Sequence, residues 1–366
     1  MKVMEKDANN DMSKSVMIGM SGGVDSSVAA ALLVQKGYSV IGVTMKLWDE
    51  EKQSTDSMCC SIDSVNDAKR VADMISFPHY VFNFKEEFQS NVIEYFIDEY
   101  VAGFTPNPCV ACNKRIKFDL MLKKAQAMGI DYIATGHYAK TEFHSETGRW
   151  LLKRSRSIAK DQTYVLYGMT QYQLEHTLFP LGDFETKDEV RKVAEGLGLR
   201  VANKPDSQEI CFVEKDYGDY IESKRPGISK PGDFVNVNGK VLGRHKGIIH
   251  YTIGQRKGLG IALGKPVFVT AIDVAKNQVV LGDESGIFTD ILVAKDINLI
   301  PFENLGSEMK VTAKIRYSAK EAEAYISPFE NERLRVRFAQ KQRAITPGQS
   351  VVFYDGDIVV GGGTIE

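Results

Sequence analysis

The stretch MIGMSGGVDSS, residues 17–27, decides the fold of this chain. An apolar run, Val16 to Ile18, is typical of a buried parallel strand. Val24 to Gln35 predicts a helix, with Gly37 just beyond its end. The Ser-Gly-Gly turn between them directs backbone N–H groups and the positive end of the helix dipole at one place, which suits a phosphate group. The stretch therefore predicts a nucleotide-binding strand–turn–helix unit.

Length and composition limit the number of domains and the kinds of partner that this chain can have. A chain of 366 residues is long enough for two or three domains. No apolar run approaches the ~20 residues of a membrane span, so no membrane partner is expected. Residues 1–14 are polar and lack the apolar core of a secretory signal, which predicts a disordered tail on a cytoplasmic protein. Because the formal net charge is −2, an RNA partner would have to meet a local basic patch.

Strand and helix signals alternate from Val16 to about Ile210. Further strands are predicted at residues 39–45, 79–82 and 132–134, and further helices at 61–74, 88–100 and 118–128. On the second helix Ser61 is the expected N-cap, and Ile62, Val65, Ala68 and Ala72 are expected on one buried face. Such alternation predicts an α/β fold, a parallel sheet with helices on both faces and ligands at the carboxyl ends of the strands.

The pattern changes after about residue 214, where turn signals and short β-rich runs replace the alternation. From about Ile291 the chain is predicted as consecutive strands to its end, which indicates an antiparallel β-barrel. We therefore predict a catalytic domain at 15–213, a small linking domain at 214–284 and a C-terminal barrel at 285–366.

The five cysteines are Cys59, Cys60, Cys109, Cys112 and Cys211. Without a secretory signal, thiol, metal or redox chemistry is expected before structural disulfides. Cys109 and Cys112 form a C-x-x-C on a predicted loop just before a helix, a pattern found in zinc sites, redox dithiols and iron–sulfur sites. The adjacent Cys59 and Cys60 make a poor second pair for zinc and are interpreted as buried apolar thiols.

Four strings together carry a family resemblance. SGGVDSS (21–27) resembles the pyrophosphate loop of the ATP pyrophosphatase superfamily. With NPCVACN (107–113), TGHY (135–138) and DSQEICF (206–212), the chain resembles the tRNA-specific 2-thiouridylases over nearly its whole length. The resemblance implies an adenine-nucleotide α-hydrolase-like domain that uses ATP and Mg²⁺ to convert the wobble uridine of tRNA to 2-thiouridine, with a sulfur-donor or sulfur-relay protein as partner.

The resemblance also implies roles for individual residues. Cys112 matches the nucleophile and Cys211 the persulfide carrier, and Asp25 would hold Mg²⁺ through ATP. The ATP site would comprise Gly19, Met20, Ser21, Gly22, Gly23, Val24, Asp25, Ser26, Met45 and Gly136. The target base would meet Asn107, Pro108 and Cys109. The tRNA would also contact His137, Lys160, Asp161, Gln162, Arg316, Tyr317 and Gln349.

Cys109 departs from the family pattern, because many members carry Asp at this position. Relatives with three cysteines are thought to hold an iron–sulfur cluster, which would make Cys109, Cys112 and Cys211 ligands of a [4Fe-4S] cluster. Cys109 is thus an assisting thiol or a cluster ligand, and the sulfur carrier is a persulfide or cluster-bound sulfide.

Two other functions fit parts of the sequence. An amide-forming ATP pyrophosphatase, as in GMP or NAD synthesis, would use the glycine turn but would not need the paired cysteines. A metal-stabilised RNA-binding module would bind RNA without catalysis. The basic, glycine-rich stretch Lys240, Arg244, Lys246, Arg256 and Lys257 suits the phosphates and sugars of an RNA partner. Pyrophosphate release and its dependence on the thiols distinguish the three functions.

Overall fold

The computed structural model describes residues 14–48, 62–204, 210–213 and 216–366. The chain forms two compact units. The first contains residues 1–92, 109–211 and 357–359, and the second contains 93–108, 212–356 and 360–366. The predicted boundaries at 213/214 and 284/285 stay a prediction. The predicted tail, apart from Lys14, lies outside the described residues, as do Cys59, Cys60 and the N-cap candidate Ser61.

The first unit is built on a five-stranded sheet in which every pairing is parallel, as predicted. In sheet order the strands are His79–Asn83, Ser39–Lys46, Ser15–Gly19, Tyr132–Ala134 and Thr177–Leu178. The chain order reverses beside Ser15–Gly19, so the carboxyl ends of that strand and of Tyr132–Ala134 border the crevice where ligands bind in such sheets. Val16, Met17 and Ile18 are completely buried in the core.

The first helix, Val24–Gln35, has the predicted bounds. Gly37 follows it with a positive φ of 86°, a conformation that glycine adopts without a steric penalty. Further along the chain the α-helices are Ile62–Ile75, Lys85–Phe88, Glu94–Val101, Pro108–Cys112, Met121–Ala127, Gln171–Glu175, Lys187–Gly196 and Tyr217–Lys224. No helix in these described ranges is long and apolar enough to cross a bilayer.

The buried face of Ile62–Ile75 differs from the predicted one. Ile62 is 73% exposed, and the buried positions are Ser64, Ala68, Val71 and Ala72. The cause is close packing, because a Cβ at Gly22 would lie 2.3 Å from the carbonyl oxygen of Ser64. A helix that approaches a backbone turn this closely presents small side chains. Ala68 and Ala72 are therefore buried as predicted, whereas Ile62 lies outside the buried face.

Two predicted α-helices contain π-helical segments, Gln89–Ile93 and Asn113–Leu120. The second π-helix continues directly from Pro108–Cys112 and leads into Met121–Ala127, so residues 108–127 are helical throughout. Segments of π-helix are rare and often lie at functional sites. The first unit also contains a hairpin of Ala139–His144 and Arg149–Arg154, in which Phe143 pairs with Trp150.

The second unit is rich in antiparallel strands. A four-stranded sheet has the order Phe268–Asp273, Gln278–Gly282, Gly232–Asn236 and Val241–His245. The C-terminal strands form a closed six-stranded antiparallel barrel, as predicted. The barrel strands are Phe288–Leu299, Met309–Lys314, Ala322–Phe329, Arg333–Arg343, Ser350–Asp355 and Ile358–Ile365.

Candidate active site

The turn between the first strand and the first helix is held by its own polar groups. The backbone N–H of Ser21 donates to the Ser26 hydroxyl over 3.2 Å. The hydroxyls of Ser26 and Ser27 donate to the carbonyl oxygen of Gly23 over 3.2 and 2.8 Å. Gly22 has a φ of 70°, which favours glycine. The serine side chains thus fix the turn, and the first N–H groups of the helix have no partner within the helix.

A cavity of about 220 Å³ lies at the carboxyl ends of the parallel strands, beside this turn. Its walls are Gly19, Met20, Ser21, Asp25, Ser26, Thr44, Met45, Leu47, Lys117, Thr135, Gly136, His137 and Gln162. Seven of the ten residues predicted for ATP line it, whereas Gly22, Gly23 and Val24 shape the turn without lining the cavity. The sequence did not single out Thr44, Leu47 or Lys117 as cavity residues.

Gly136 allows the end of the strand Tyr132–Ala134 to approach the start of the helix Val24–Gln35. A Cβ at Gly136 would lie 2.7 Å from the backbone nitrogen of Ser26 and 2.8 Å from the carbonyl carbon of Asp25. Both atoms belong to the backbone and cannot turn aside as a flexible side chain would. The cavity floor therefore requires glycine at this position.

Asp25 carries the negative charge of the glycine turn. Its Oδ1 accepts a 2.8 Å hydrogen bond from the Tyr138 hydroxyl, and its Oδ2 lies 2.5 Å from Lys187 Nζ. Lys187 is the first residue of Lys187–Gly196 and is nearly buried. Nothing near Lys187 in sequence marks it as a partner of Asp25. The Asp25 oxygens keep further lone pairs beside the cavity, which suits Mg²⁺ bound jointly with phosphates.

His137 lines the same cavity as a neutral side chain. Its Nδ1 lies 2.8 Å from the Thr135 hydroxyl. Burial lowers the pKa of His137 well below its ordinary value of 6.5, with a smaller contribution from the nearby Lys117. At pH 7 the ring therefore acts as a hydrogen-bonding group and not as a cation.

The C-x-x-C pair lies on a helix, which makes the prediction of a loop wrong. Pro108 occupies the first helical position, where its missing N–H costs no hydrogen bond, and it starts the helix Pro108–Cys112. Residues three apart on a helix share a face, so the Cβ atoms of Cys109 and Cys112 lie about 5–6 Å apart. Cys109 is exposed and Cys112 is buried.

The π-helix after Cys112 leads from this pair to the cavity, because it contains Lys117, a cavity residue. Five residues of helix rise by roughly 8 Å or less. Asn113 anchors the segment, since its Nδ2 donates to the carbonyl oxygen of Val165 over 3.0 Å. Its Oδ1 is buried and has no hydrogen-bond partner. The hydrogen bond from Asn113 to Val165 thus fixes the position of the helical segment that contains Cys112 and Lys117.

Cys211 is half-buried and follows a segment tied to the glycine turn. Lys204 Nζ lies 3.3 Å from the carbonyl oxygen of Gly22 and 3.1 Å from Asp67 Oδ2. Residues 205–209 lie outside the described part of the chain. The sulfur atoms of Cys109, Cys112 and Cys211, all of which are described, do not form a group within 4.8 Å of one another. Their arrangement is therefore not that of a single-ion site.

The predicted tRNA contacts divide between the two units. In the first unit, Asp161 accepts hydrogen bonds from Ser155 N and the Thr163 hydroxyl, and burial raises its pKa above 3.8. Gln162 accepts from the backbone N–H of Tyr138. Both side chains therefore brace the site, and Lys160 is half-buried beside them.

In the second unit, Gln349 Nε2 donates to the carbonyl oxygens of Thr105 and Pro106, over 2.8 and 3.3 Å. It thereby fixes the loop just before Asn107, which is half-buried, and Pro108, which is buried. Tyr317 is exposed and Arg316 half-buried. Their contact with tRNA stays a prediction.

Similar proteins cover the whole length of the chain. The family model described as tRNA methyl transferase HUP domain matches residues 14–215, the PRC-barrel domain model matches 219–283, and the aminomethyltransferase beta-barrel domain model matches 289–365. A 2-thiouridylase of Caldicellulosiruptor saccharolyticus is 59% identical, over 97% of this chain and 99% of its own. Those of Acetivibrio thermocellus and Clostridium perfringens are each 58% identical, over 96% of this chain and 99% and 98% of their own. This chain therefore belongs to the tRNA-specific 2-thiouridylase family.

Proposed function

We propose that this protein is a tRNA-uridine 2-sulfurtransferase, which adenylates O2 of the wobble uridine with ATP and replaces that oxygen by sulfur. One observation carries the proposal. Cys112 and the cavity residue Lys117 lie on one uninterrupted helical segment, so the thiol and one wall of the cavity beside the glycine turn belong to the same element. An enzyme that activates a carbonyl and then delivers sulfur to it needs both groups close together.

The first step would be adenylation. Oxygen O2 of the uracil attacks the α-phosphate of ATP, an O2–P bond forms, and pyrophosphate leaves. The N–H groups at the start of Val24–Gln35 and the Lys117 ammonium offset the charge on the departing phosphates. Mg²⁺, held by Asp25 and the phosphates, would supply further charge neutralisation. AMP then becomes the group that leaves from C2.

The second step would deliver the sulfur. The outer sulfur of a persulfide on Cys211 attacks C2 of the adenylated base, and AMP leaves. The Cys112 thiolate then attacks the Cys211 sulfur, which forms a disulfide and releases the thiocarbonyl with its electron pair. A thiol reductant restores the two cysteines, and a sulfur-donor or sulfur-relay protein recharges Cys211.

The role of Cys109 depends on whether the sulfur is carried by a persulfide or by an iron–sulfur cluster. As an assisting thiol it would act from the same helix face as Cys112. As a cluster ligand it would join Cys112 and Cys211 in holding a [4Fe-4S] cluster. Thiolates are the usual ligands of such clusters, and three of them would leave one iron without a protein ligand. Anaerobic purification with iron and sulfide analysis distinguishes the two: colourless, iron-free and fully active protein excludes the cluster.

The substrate tRNA would approach residues 107–109 with the target base, and would meet His137, Lys160, Arg316 and Tyr317 with the surrounding nucleotides. These roles follow from the family resemblance. A protein that modifies tRNA with ATP would work in the cytoplasm.

The test is an assay of 2-thiouridine formation with unmodified tRNA, ATP, Mg²⁺ and a persulfide donor, read by mass spectrometry of the digested tRNA. Wild-type protein should form 2-thiouridine and release pyrophosphate. Cys211→Ala should bind tRNA with unchanged affinity and form no 2-thiouridine, whereas Cys60→Ala serves as the matched control and should remain active.

One result would refute the sulfur carrier, and two results would favour other functions. Sustained thiolation by Cys211→Ala would refute the assignment of the carrier. Thiol-independent pyrophosphate release with a small amine acceptor would indicate an amide-forming enzyme. No pyrophosphate from ATP and tRNA together would indicate an RNA-binding module.

A further inference from the structure

A cluster of two carboxylates and one imidazole lies in the second unit, outside the residues that line the cavity. Asp216 is the N-cap of the helix Tyr217–Lys224, and its side chain accepts from the backbone N–H of Asp219 over 3.0 Å. His250 ends the short 3₁₀ turn Ile248–His250. One oxygen of each carboxylate and a ring nitrogen of His250 lie within 4.8 Å of one another.

The imidazole of His250 is buried with an unsatisfied nitrogen. The side chain is 7% exposed, and Nδ1 has no hydrogen-bond partner. The nearest carboxylate oxygen, Oδ1 of Asp216, is 3.7 Å away, which is beyond hydrogen-bonding distance. Buried polar atoms of native proteins nearly always have a partner, so an unpaired nitrogen that faces a carboxylate across this gap is a candidate metal ligand.

The helix is shaped around this nitrogen. A Cβ at Gly218 would lie 2.1 Å from His250 Nδ1, so the glycine allows the first helical turn to close over the ring. On the solvent side, Lys246 Nζ lies 3.8 Å from Asp219 Oδ1, at the limit of an ion pair. Asp219 is itself exposed, which leaves a path for an ion to enter.

We propose that Asp216, Asp219 and His250 form a binding site for a divalent transition-metal cation. One imidazole nitrogen and two carboxylate oxygens suit Mn²⁺ and Zn²⁺, with water in the remaining positions. Each Asp216 oxygen has two lone pairs, so the helix cap and a metal bond are compatible. The ion joins the start of Tyr217–Lys224 to the turn Ile248–His250 and satisfies the buried nitrogen.

The test is an Mn²⁺ titration of the full-length protein without nucleotide, followed by electron paramagnetic resonance. Mn²⁺ is the probe because thiolates favour zinc and would add cysteine sites. Wild-type protein should bind one Mn²⁺ with a ¹⁴N coupling from a directly bonded imidazole. Asp219→Asn should bind at least tenfold more weakly, whereas Asp283→Asn is the matched control and should bind as wild type, because Asp283 pairs with Lys265 elsewhere in this unit.

His250→Gln should lose the ¹⁴N coupling. If this variant does not fold, Asp219→Asn keeps the test decisive, because an exposed carboxylate with one long contact is not needed for folding. Two results would overturn the proposal: bound Mn²⁺ without any ¹⁴N coupling in wild-type protein, or equal affinities for Asp219→Asn and Asp283→Asn. Both would mean adventitious binding to surface carboxylates.

Discussion

Residues 21–26 and residues 109–120 both contribute to the site in the first unit, but they are built differently. The glycine turn offers backbone N–H groups, and serine hydroxyls within the same six residues hold it. The cysteine segment offers side chains, and its position depends on Asn113 reaching Val165, which lies 52 positions further along the chain. A site made of backbone is encoded locally, whereas a site made of side chains depends on distant contacts.

The Cys112→Ala substitution is expected to have the largest effect on one region while leaving the other unchanged. It removes the sulfur chemistry and leaves the glycine turn intact, so thiolation should fall by roughly a thousandfold or more while ATP affinity stays within about twofold. Thiolated tRNA and ATP binding are measured on the same preparation. A parallel loss of ATP binding would show that the two regions are not independent.

Gly136→Ala tests the backbone-built region. The added methyl would collide with the backbone at Ser26 and Asp25, so ATP affinity should fall about a hundredfold, which is ~2.7 kcal/mol. The matched control is Gly196→Ala, on a helix with no atom within 4 Å of the new methyl. That control should bind ATP normally and gain up to ~1 kcal/mol of stability. Equal ATP affinities in the two variants would contradict the crowded cavity floor.

Asn113→Ala tests the anchor of the cysteine segment. It leaves the Val165 carbonyl without its donor and removes a buried amide, so the free energy of unfolding should fall by about 1–3 kcal/mol. Thiolation should fall about tenfold with ATP affinity unchanged, because the helical segment that contains Cys112 is no longer held in position by the hydrogen bond to Val165. Urea denaturation and the thiolation assay provide the two measurements. Unchanged thiolation at reduced stability would assign Asn113 a purely structural role.

The smallest effect concerns His137 and pH. Because burial lowers its folded-state pKa, the unfolded chain binds a proton below pH 6.5 that the native protein does not bind. This contribution to stability is therefore complete above pH 6.5 and is lost as pH falls, by at most ~1.4 kcal/mol per pH unit. Urea midpoints between pH 7.5 and 5.5 should decline less steeply for His137→Gln than for wild type. Identical slopes for His137→Gln and wild-type protein would contradict the assignment.

The sequence by itself determined the strand, turn and helix of residues 15–35, the parallel sheet and the C-terminal barrel. These depend on apolar periodicity, on glycine and serine chemistry, and on interactions between residues close in the chain. The presence of cysteine motifs together with a glycine turn was also evident in the sequence, although only the helix started by Pro108 decided that Cys109 and Cys112 share one face.

Tertiary structure alone decided the rest. Lys187 meets Asp25 across 162 positions, Lys204 meets Gly22 across 182, and Ile62 turns outward because Ser64 must approach a backbone turn. No local pattern contains these contacts. Periodicity reports which face of an element is apolar, but a specific ion pair or close packing depends on where the folded chain brings two distant segments together, and that position is a property of the whole core.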